Sequence, residues 1–278
     1  MDGVLYINKE KNMTSFDVVA RIRRILNERS IGHTGTLDPN AEGLLILLVG
    51  KACKCLPYCE HNNKEYIATF KLGIKTDTGD IWGEVIEQQN IPLISRIEFE
   101  SICSEFIGIQ QQIPPQVSAI KVNGKKAYEY HREGKTIELE KREIEIYELE
   151  CLSYDTEITI RALVSNGTYI RTLCEDIAKR MGTIGTMTSL VRSKIGNISV
   201  EQAIKLDEVN EKSLHSINEI LNNQYPHFEI ADVESVKQGK KIRLDCIEPL
   251  VLLTHQGEIL AAYEKVEDNL YKSKRGLW

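Results

Sequence analysis

The sequence lacks the features of a membrane or exported protein. No apolar run reaches the ~18 residues that a transmembrane helix needs. The N-terminus, Met1 to Val4, has neither the basic flank nor the long apolar core of a signal peptide. With 278 residues, of which 42% are hydrophobic and 27% charged, the composition is ordinary for a globular protein of one or two domains. We therefore expect a cytoplasmic protein that makes no contact with a membrane.

The sequence also lacks the patterns of a disulfide framework, a metal site or a nucleotide-cofactor site. Its seven cysteines are odd in number and scattered. Cys53, Cys55, Cys59 and His61 cluster, but the usual Cys-x-x-Cys pair of a zinc site is missing, so buried thiols on a helix over residues 52–60 are favoured. No P-loop or dinucleotide-binding fingerprint is present. We expect neither a metal nor another cofactor.

Bulk positive charge is absent too, because the formal net charge is −6. Any binding to nucleic acid must therefore depend on a local concentration of cations. Residues 121–136 carry such a concentration, with five basic residues against two acidic ones, and aromatic rings lie between them: Lys121, Lys125, Lys126, Arg132 and Lys135; Glu129 and Glu133; Tyr128, Tyr130 and His131. Cations contact phosphates and rings stack on bases, so the segment is typical of an RNA-binding surface. The alternative is an ordinary solvated hairpin.

A glycine-rich loop at residues 32–43 carries one carboxylate, Asp38, and leads into the apolar run 44–49. Pro39 biases Asp38 toward an extended conformation, and the glycines allow close approach of a ligand to the backbone. The apolar run, bounded by glycines, predicts a buried strand. An isolated Asp-Pro pair would indicate a simple turn. A histidine, two threonines and three glycines around Asp38 favour a functional loop instead.

Local patterns predict a mixture of helices and strands. Strands are predicted at 3–7, 64–72 and 158–164, and helices at 52–60, 97–107 and 210–223. Helix starts are predicted at three polar residues: Thr14, with Asp17 completing a capping box; Thr168, in a helix closed by Gly182; and Ser199, with Gln202 in a second box. The alternation of residues 144–151 slips near Tyr147, which indicates a β-bulge. The segment 76–80 is predicted to be a structural turn, and from Pro226 onward the pattern indicates a small β-rich domain.

Arg171 falls in the first turn of the helix predicted after Thr168. A cation there is disfavoured by the helix dipole by roughly 0.3–1 kcal/mol, unless a carboxylate faces it. The position therefore hints at an anionic partner for Arg171.

The loop Gly32–Gly43 resembles the catalytic loop of the TruB-type tRNA pseudouridine synthases, whose pattern is Gly-His-Thr/Ser-Gly-x-Leu-Asp-Pro. Segments 112–124 and 167–173 also resemble motifs of that family, Gln-x-Pro-Pro-x-x-Ser-Ala-Xaa-Lys-x-x-Gly and Gly-Thr-Tyr-Ile-Arg. The resemblance implies an α+β pseudouridine synthase fold with a central, mostly antiparallel sheet flanked by helices. It also implies a catalytic domain at 1–224 with a thumb insertion at about 121–147, and a PUA-like RNA-binding domain at 225–278.

The resemblance further implies a reaction, the isomerisation of the T-loop uridine at tRNA position 55 to pseudouridine, on a nucleotide turned out of the RNA fold. It assigns site roles as follows: Asp38 as nucleophile or base, Arg171 as its ion-pair partner, Tyr66 stacking on the target base, Tyr169 and Leu190 holding that base, and His33 filling the space that the flipped nucleotide leaves. Lys121 is a further candidate for substrate binding, through a contact with phosphate. Taken alone, Tyr66, Tyr169 and Leu190 would pass as core residues, His33 as a hydrogen-bonded loop histidine, and Lys121 as a side chain with a packed stem.

Three alternatives stay open at this stage. An RNA-guided catalytic subunit is disfavoured because neither end carries a long basic tail. A tRNA-binding or tRNA-folding module without catalysis is disfavoured by the joint presence of Asp38, Tyr66 and Arg171. An enzyme acting on a small molecule leaves the segment 121–136 unexplained. We expect a monomer that binds the tRNA T-arm and needs no obligate protein partner.

Overall fold

The computed structural model describes residues 1–59, 63–221 and 225–277. The chain forms two compact units. Unit 1 comprises Met1–Pro39, Gly43–His61 and Gly196–Trp278, and unit 2 comprises Asn40–Glu42 and Asn62–Ile195. Within the described ranges, no helix is long and apolar enough to cross a membrane.

Strands and helices are interspersed along the chain. The strands are β1 (Gly3–Lys9), β2 (Ile31–His33), β3 (Glu42–Val49), β4 (Lys64–Leu72), β5 (Ile74–Thr76), β6 (Val85–Gln88), β7 (Gly108–Gln112), β8 (Lys121–Val122), β9 (Lys125–Lys126), β10 (Arg142–Tyr154), β11 (Glu157–Val164), β12 (Gly185–Ile195), β13 (Ile198–Ser199), β14 (His227–Glu229), β15 (Ile242–Arg243), β16 (Leu250–His255), β17 (Glu258–Glu267) and β18 (Leu270–Gly276). The α-helices are α1 (Ser15–Ile25), α2 (Arg96–Glu105), α3 (Ala127–Arg132), α4 (Ile170–Arg180), α5 (Asn218–Leu221) and α6 (Val233–Lys237), and short 3-10 helices cover Gly50–Tyr58, Val200–Gln202 and Glu211–Ser213.

In unit 1, β3 pairs antiparallel with β1 and with β2. Helix α1 packs its apolar stripe on these strands, and the resulting core includes Ile7, Val18, Ile22, Leu45 and Leu47. Each such aliphatic side chain stabilises the fold by about 1.5–3 kcal/mol when fully buried. The predicted start of α1 is confirmed, because the Thr14 side chain and the N3 carboxylate form a capping box.

The C-terminal part of unit 1 is a five-stranded sheet in the order β14-β16-β17-β18-β15. Strands β14 and β16 run parallel, and the other neighbours run antiparallel. One face packs on α6 through a small core that contains Val236, Leu253, Tyr263 and Tyr271. The strands predicted after Pro226 are therefore present. The predicted domain boundary at 224/225 adjoins residues 222–224, which lie outside the described part of the chain, and it stays a prediction.

Unit 2 is built on an antiparallel sheet in the order β12-β4-β11-β10-β7. The predicted strand at 64–72 is observed with those bounds as β4, which lies between β11 and β12. The phase slip predicted near Tyr147 is confirmed as a register shift between Ile146 and Glu148. The predicted helix at 97–107 is observed as α2, one residue earlier at its start.

The predicted helix start at Thr168 is wrong, because α4 begins at Ile170 with Tyr169 as its N-cap. The Thr168 hydroxyl donates to the carbonyl of Ser165 at 3.0 Å and so closes the preceding turn instead of capping the helix. Gly182 does end the helix as predicted, with a φ of 83° just after the C-cap.

The predicted helix at 210–223 is also wrong over most of its described length. Only a 3-10 turn at Glu211–Ser213 and the short α5 are helical. Between them the chain is extended, because His215 and Val4 exchange backbone hydrogen bonds at 2.8 and 2.9 Å. Pairing with β1 overrides the local helical pattern. The helix predicted at 52–60 is a 3-10 helix, and its last residue lies outside the described ranges.

Candidate active site

The predicted site residues are distributed over both units. His33 and Asp38 belong to unit 1, whereas Tyr66, Lys121, Tyr169, Arg171 and Leu190 belong to unit 2.

The backbone on each side of Asp38 is fixed by side chains from the beginning of the chain. The Leu37 amide donates to the Ser15 hydroxyl at 2.9 Å, and the carbonyl of Pro39 accepts from the Lys9 ammonium at 3.1 Å. Leu37 is buried, whereas Asp38 is half-buried. The loop therefore presents the Asp38 carboxylate from a backbone that is held at both neighbouring residues.

Lys9 is a site residue that the sequence did not reveal. It lies at the end of β1 and is 1% exposed. Its ammonium also donates to the carbonyls of Glu10 and Met13, at 2.9 and 2.8 Å. A buried ammonium is costly unless it is hydrogen-bonded, so this set of carbonyls stabilises Lys9 and the loop that it holds. A lysine at a strand end ordinarily indicates a solvated side chain.

His33 ends β2, where its backbone is paired with that of Leu47 in β3. The next residue continues this attachment, since the Thr34 amide donates to the Ile46 carbonyl at 3.1 Å. His33 is half-buried at the entry of the loop that carries Asp38.

In unit 2, Tyr66 and Leu190 lie on one face of the sheet. Tyr66 in β4 is opposite Arg192 in β12, and Leu190 is opposite Ala68. Because residues two apart in a strand share a face, these side chains form one cross-strand group. Tyr66 and Leu190 are 8% and 6% exposed, and Arg192 is 1% exposed. The structure thus brings two predicted residues together and adds a buried cation, Arg192, directly opposite Tyr66.

Tyr169 is held by two side chains from neighbouring strands. The buried amide of Gln112 donates to the Tyr169 carbonyl at 3.0 Å and accepts from the Tyr169 backbone N–H at 2.8 Å. The Arg142 guanidinium lies over the Tyr169 ring at 4.8 Å from its centroid and donates to the Gly167 carbonyl at 3.1 Å. Such a cation–π contact is worth about 0.5–2 kcal/mol. Gln112 therefore binds the backbone of the N-cap residue of α4, a place that the N3 side chain takes in a capping box.

Arg171 is where the motif segments 112–124 and 167–173 meet the turn at 76–80. Its guanidinium donates from Nη1 to the Thr78 carbonyl at 2.8 Å and from Nη2 to the Val117 carbonyl at 2.9 Å. Nη1 also lies 3.9 Å from Oδ2 of Asp80, whose side chain is 15% exposed. Arg171 itself is 4% exposed. The anionic partner that its helix position predicted is thus present within unit 2 as Asp80, while its pairing with Asp38 stays a prediction.

The sequence predicted only a structural turn at 76–80. The turn also supplies two groups that face Arg171, the Thr78 carbonyl and the Asp80 carboxylate. Its shape is fixed by hydrogen bonds from Thr76 Oγ1 to the Asp80 carbonyl at 2.7 Å and from Thr78 Oγ1 to Asp80 Oδ1 at 2.9 Å. Gly79 has a φ of +77°, and a Cβ there would lie 2.9 Å from Oε1 of Glu175. Burial raises the pKa of the Glu175 carboxyl above its usual value.

Lys121 lies away from the sheet face of Tyr66 and Leu190. It is an exposed residue of β8, opposite Lys126 in the hairpin β8–β9 that leads into α3. The predicted mixture of cations and rings is observed here: Lys126 and Arg132 lie over the Tyr128 ring at 5.5 and 5.2 Å, and Lys125 over the Tyr130 ring at 4.8 Å. The segment therefore presents cations that are already ordered against aromatic faces.

All seven cysteines are free thiols, and Cys55 and Cys59 are buried as expected. Across the part of the chain that the structure describes, no group of three or more histidine, cysteine or acidic residues is arranged to hold a metal ion. His61, the fourth member of the cluster considered from the sequence, lies outside that part. Burial raises the pKa of the Cys55 thiol to about 12.

Comparison with known proteins places these features in a family. The model of the TruB family pseudouridylate synthase N-terminal domain matches residues 23–170, and that of the tRNA pseudouridylate synthase B C-terminal domain matches residues 171–236. The tRNA pseudouridine synthase B of Mesoplasma florum is 37% identical, covering 99% of this chain and 97% of the relative. That of Syntrophomonas wolfei is 39% identical, covering 95% of this chain and 93% of the relative. That of Francisella tularensis subsp. novicida is 43% identical, covering 77% of this chain and 71% of the relative.

Solved structures confirm the predicted fold class. A Cbf5-Nop10-Gar1 complex contains a chain that superposes with a TM-score of 0.76 at 22% identity, covering 99% of this chain and 85% of that one. An H/ACA RNP bound to a substrate RNA containing 2′-deoxyuridine gives a TM-score of 0.74 at 22% identity with the same coverage. At 22% identity the solved structures show that the fold is shared. Membership of the family is shown by the two family models and by the relatives that are 37–43% identical. The chain belongs to the TruB family of pseudouridylate synthases.

Proposed function

We propose that this protein isomerises the T-loop uridine at position 55 of tRNA to pseudouridine, with Asp38 acting on the flipped nucleotide. The observation that carries the proposal is the setting of Arg171, a buried guanidinium fixed by the backbone carbonyls of Thr78 and Val117. The relatives that are 37–43% identical and named tRNA pseudouridine synthase B support tRNA as the substrate.

The proposed task of Arg171 is to keep Asp38 ionised and oriented. A guanidinium carries five N–H donors in one plane. The carbonyls of Thr78 and Val117 fix that plane and carry no net charge, and the Asp80 carboxylate lies 3.9 Å from Nη1. In the proposal the same cation also faces Asp38. An opposed cation favours the charged form of an aspartate and forms strong, directional hydrogen bonds with it.

The proposed pocket for the base consists of Tyr66, Leu190 and Tyr169. An extruded base is normally held by stacking on aromatic and apolar side chains. Tyr66 and Leu190 share a sheet face, and Tyr169 is held by Gln112 and Arg142. His33 takes the proposed task of filling the space left in the RNA.

The chemistry is an isomerisation, in which every atom of the uridine is kept. The bond from N1 to the sugar C1′ breaks, the base turns, a bond from C5 to C1′ forms, and the C5 proton is transferred to N1 through solvent or a base. Asp38 can serve as a nucleophile toward the sugar or the pyrimidine, or as the base. No net oxidation or reduction takes place, so the reaction needs no redox cofactor.

The proposed organisation is a catalytic domain at 1–224, with Lys121 and the segment around α3 contacting the T-arm, and a PUA-like domain at 225–278. We further propose that the protein is a cytoplasmic monomer that needs no guide RNA and no obligate partner. The support is that the relatives named tRNA pseudouridine synthase B are 37–43% identical, whereas the chains from the H/ACA RNP and the Cbf5-Nop10-Gar1 complex are 22% identical.

The test is to incubate the purified chain alone with an unmodified T-arm stem-loop and to map pseudouridine. We expect one modified position, the uridine corresponding to position 55, and no modification of a stem-loop in which that uridine is replaced by cytidine. Modification that requires an added guide RNA or protein would contradict the standalone assignment. RNA binding without any modification would support the non-catalytic alternative.

A further inference from the structure

Helix α3, which carries the cluster of cations and rings, is attached to the rest of unit 2 beside Arg171. The first attachment is a backbone hydrogen bond. The Tyr128 amide donates to the Ser118 carbonyl at 3.1 Å. Ser118 directly follows Val117, whose carbonyl accepts from Arg171.

The second attachment is a polar side-chain contact at the other end of the helix. Nε2 of His131 lies 3.3 Å from Oδ2 of Asp77, and both side chains are 30% exposed. Asp77 directly precedes Thr78, whose carbonyl is the other acceptor for Arg171. The Ala127 amide also donates to the Ile120 carbonyl at 2.8 Å. The Tyr128 and His131 attachments are each one residue away from the two carbonyls that fix the guanidinium.

Asp77 is well placed to transmit a displacement of α3. Its other carboxylate oxygen, Oδ1, accepts from the Glu84 amide at 2.8 Å, and its own amide donates to the Glu84 carbonyl at 3.1 Å. A Cβ at Gly83, beside Glu84, would lie 2.4 Å from Oδ1 of Asp77 and would displace that carboxylate. Oδ1 of Asp77 is thus held by the backbone of its own loop, while Oδ2 contacts His131.

We propose that Asp77 and His131 are positioning residues that couple the seating of α3 on RNA to the placement of Arg171. When the cations of the segment contact the T-arm, α3 is held in place, and the His131–Asp77 pair keeps the Thr78 carbonyl where it fixes Nη1. The pair acts through Arg171 and touches neither the uridine nor the reacting atoms. This inference rests on the proposed function.

The experiment measures the single-turnover rate of pseudouridine formation and the Kd for tRNA of Asp77→Asn, His131→Gln and the double variant. Each single change should lower the rate about two- to five-fold, the size that a partly exposed polar pair supports, while Kd stays within about two-fold. The double variant should be no slower than either single one, because the two residues act as one unit. Exchanging the two residues, Asp77→His with His131→Asp, should restore part of the rate.

The matched control is Glu105→Gln, which breaks the exposed pair with Arg180 at the far end of α4. Its rate should equal that of the wild type, and comparing urea midpoints separates a loss of folded protein from a loss of rate. Unchanged rates in the Asp77 and His131 variants, or additive losses in the double variant, would overturn the proposal. A raised Kd at an unchanged rate in His131→Gln would also overturn it, since His131 would then be a simple RNA contact. Inactivity of the wild type would instead contradict the proposed function.

Discussion

The side-chain amide of Gln112 binds the backbone of Tyr169 on both its N–H and its carbonyl, at 2.8 and 3.0 Å. The two residues are 57 positions apart, and Gln112 is buried at the end of β7. This pair of hydrogen bonds fixes where α4 begins, and Arg171 follows two residues later. One amide therefore determines the position of both Tyr169 and the arginine of the candidate site.

Replacing Gln112 with alanine should both destabilise the fold and slow the reaction. The change leaves the Tyr169 N–H without its partner and removes one of the two donors to the Tyr169 carbonyl, which also accepts from the Leu173 amide at 3.0 Å. Losing the partner of a buried polar group costs about 1–3 kcal/mol. The measurement is urea unfolding together with turnover on tRNA. Gln111→Ala is the matched control, because Gln111 is the exposed neighbour in the same strand. Equal stability of the two variants would show that the Gln112–Tyr169 bonds contribute nothing.

Arg171→Lys should remove most activity even though it keeps the charge. A lysine ammonium has no fork to bind the carbonyls of Thr78 and Val117 together, and displacement of a positioning cation by about 1 Å can cost roughly 100-fold in rate. Turnover measured beside Arg180→Lys, an exposed arginine at the other end of α4, provides the control. Activity of Arg171→Lys within two-fold of the wild type would show that charge alone suffices.

Glu65 should make the stability of the protein sensitive to acid. Burial alone would raise the pKa of Glu65, but hydrogen bonds from Ser193 and Arg161 and the charge of Lys194 outweigh it and hold that pKa below its usual range. Because the native pKa is depressed, the stabilisation is complete above the unfolded value near 4.5 and is lost as the pH falls through the native value.

Glu65→Gln should therefore lower the free energy of unfolding by about 1.5–3 kcal/mol at pH 7. The difference from the wild type should shrink as the pH falls below about 4.5. Urea unfolding at a series of pH values checks both points. A difference that stays constant down to pH 3 would mean that the charge of Glu65 is not the source of the stabilisation.

Local patterns predicted the parts of the fold that depend on near neighbours in the sequence. The capping boxes at Thr14 and Ser199 and the strand 64–72 are observed, because their signals lie within a few residues. Long-range contacts explain the failures. The N-cap of α4 is Tyr169, whose backbone binds the Gln112 amide, and not Thr168. Within the helix predicted at 210–223, His215 instead pairs with Val4.

The same distinction applies to the candidate site. The motifs pointed to Asp38, Tyr66 and Arg171 through their resemblance to a family. They did not reveal Lys9, whose ammonium donates to the carbonyl of Pro39, 30 positions along the chain. Nor did they reveal the contact between Asp80 and Arg171. Nothing in the local sequence distinguishes a lysine buried under three carbonyls from one in solvent. Such contacts become visible only when the chain is folded.

The most direct test of the account is the Asp38→Asn variant, assayed for tRNA binding and for pseudouridine at position 55 of an unmodified transcript. The account predicts binding within about two-fold of the wild type and a loss of turnover of more than about 1,000-fold, because the amide is neither a nucleophile nor a base. Asp207→Asn, the same change at an exposed aspartate, should leave both quantities unaltered. Pseudouridine formation by Asp38→Asn at the wild-type rate would contradict the central claim.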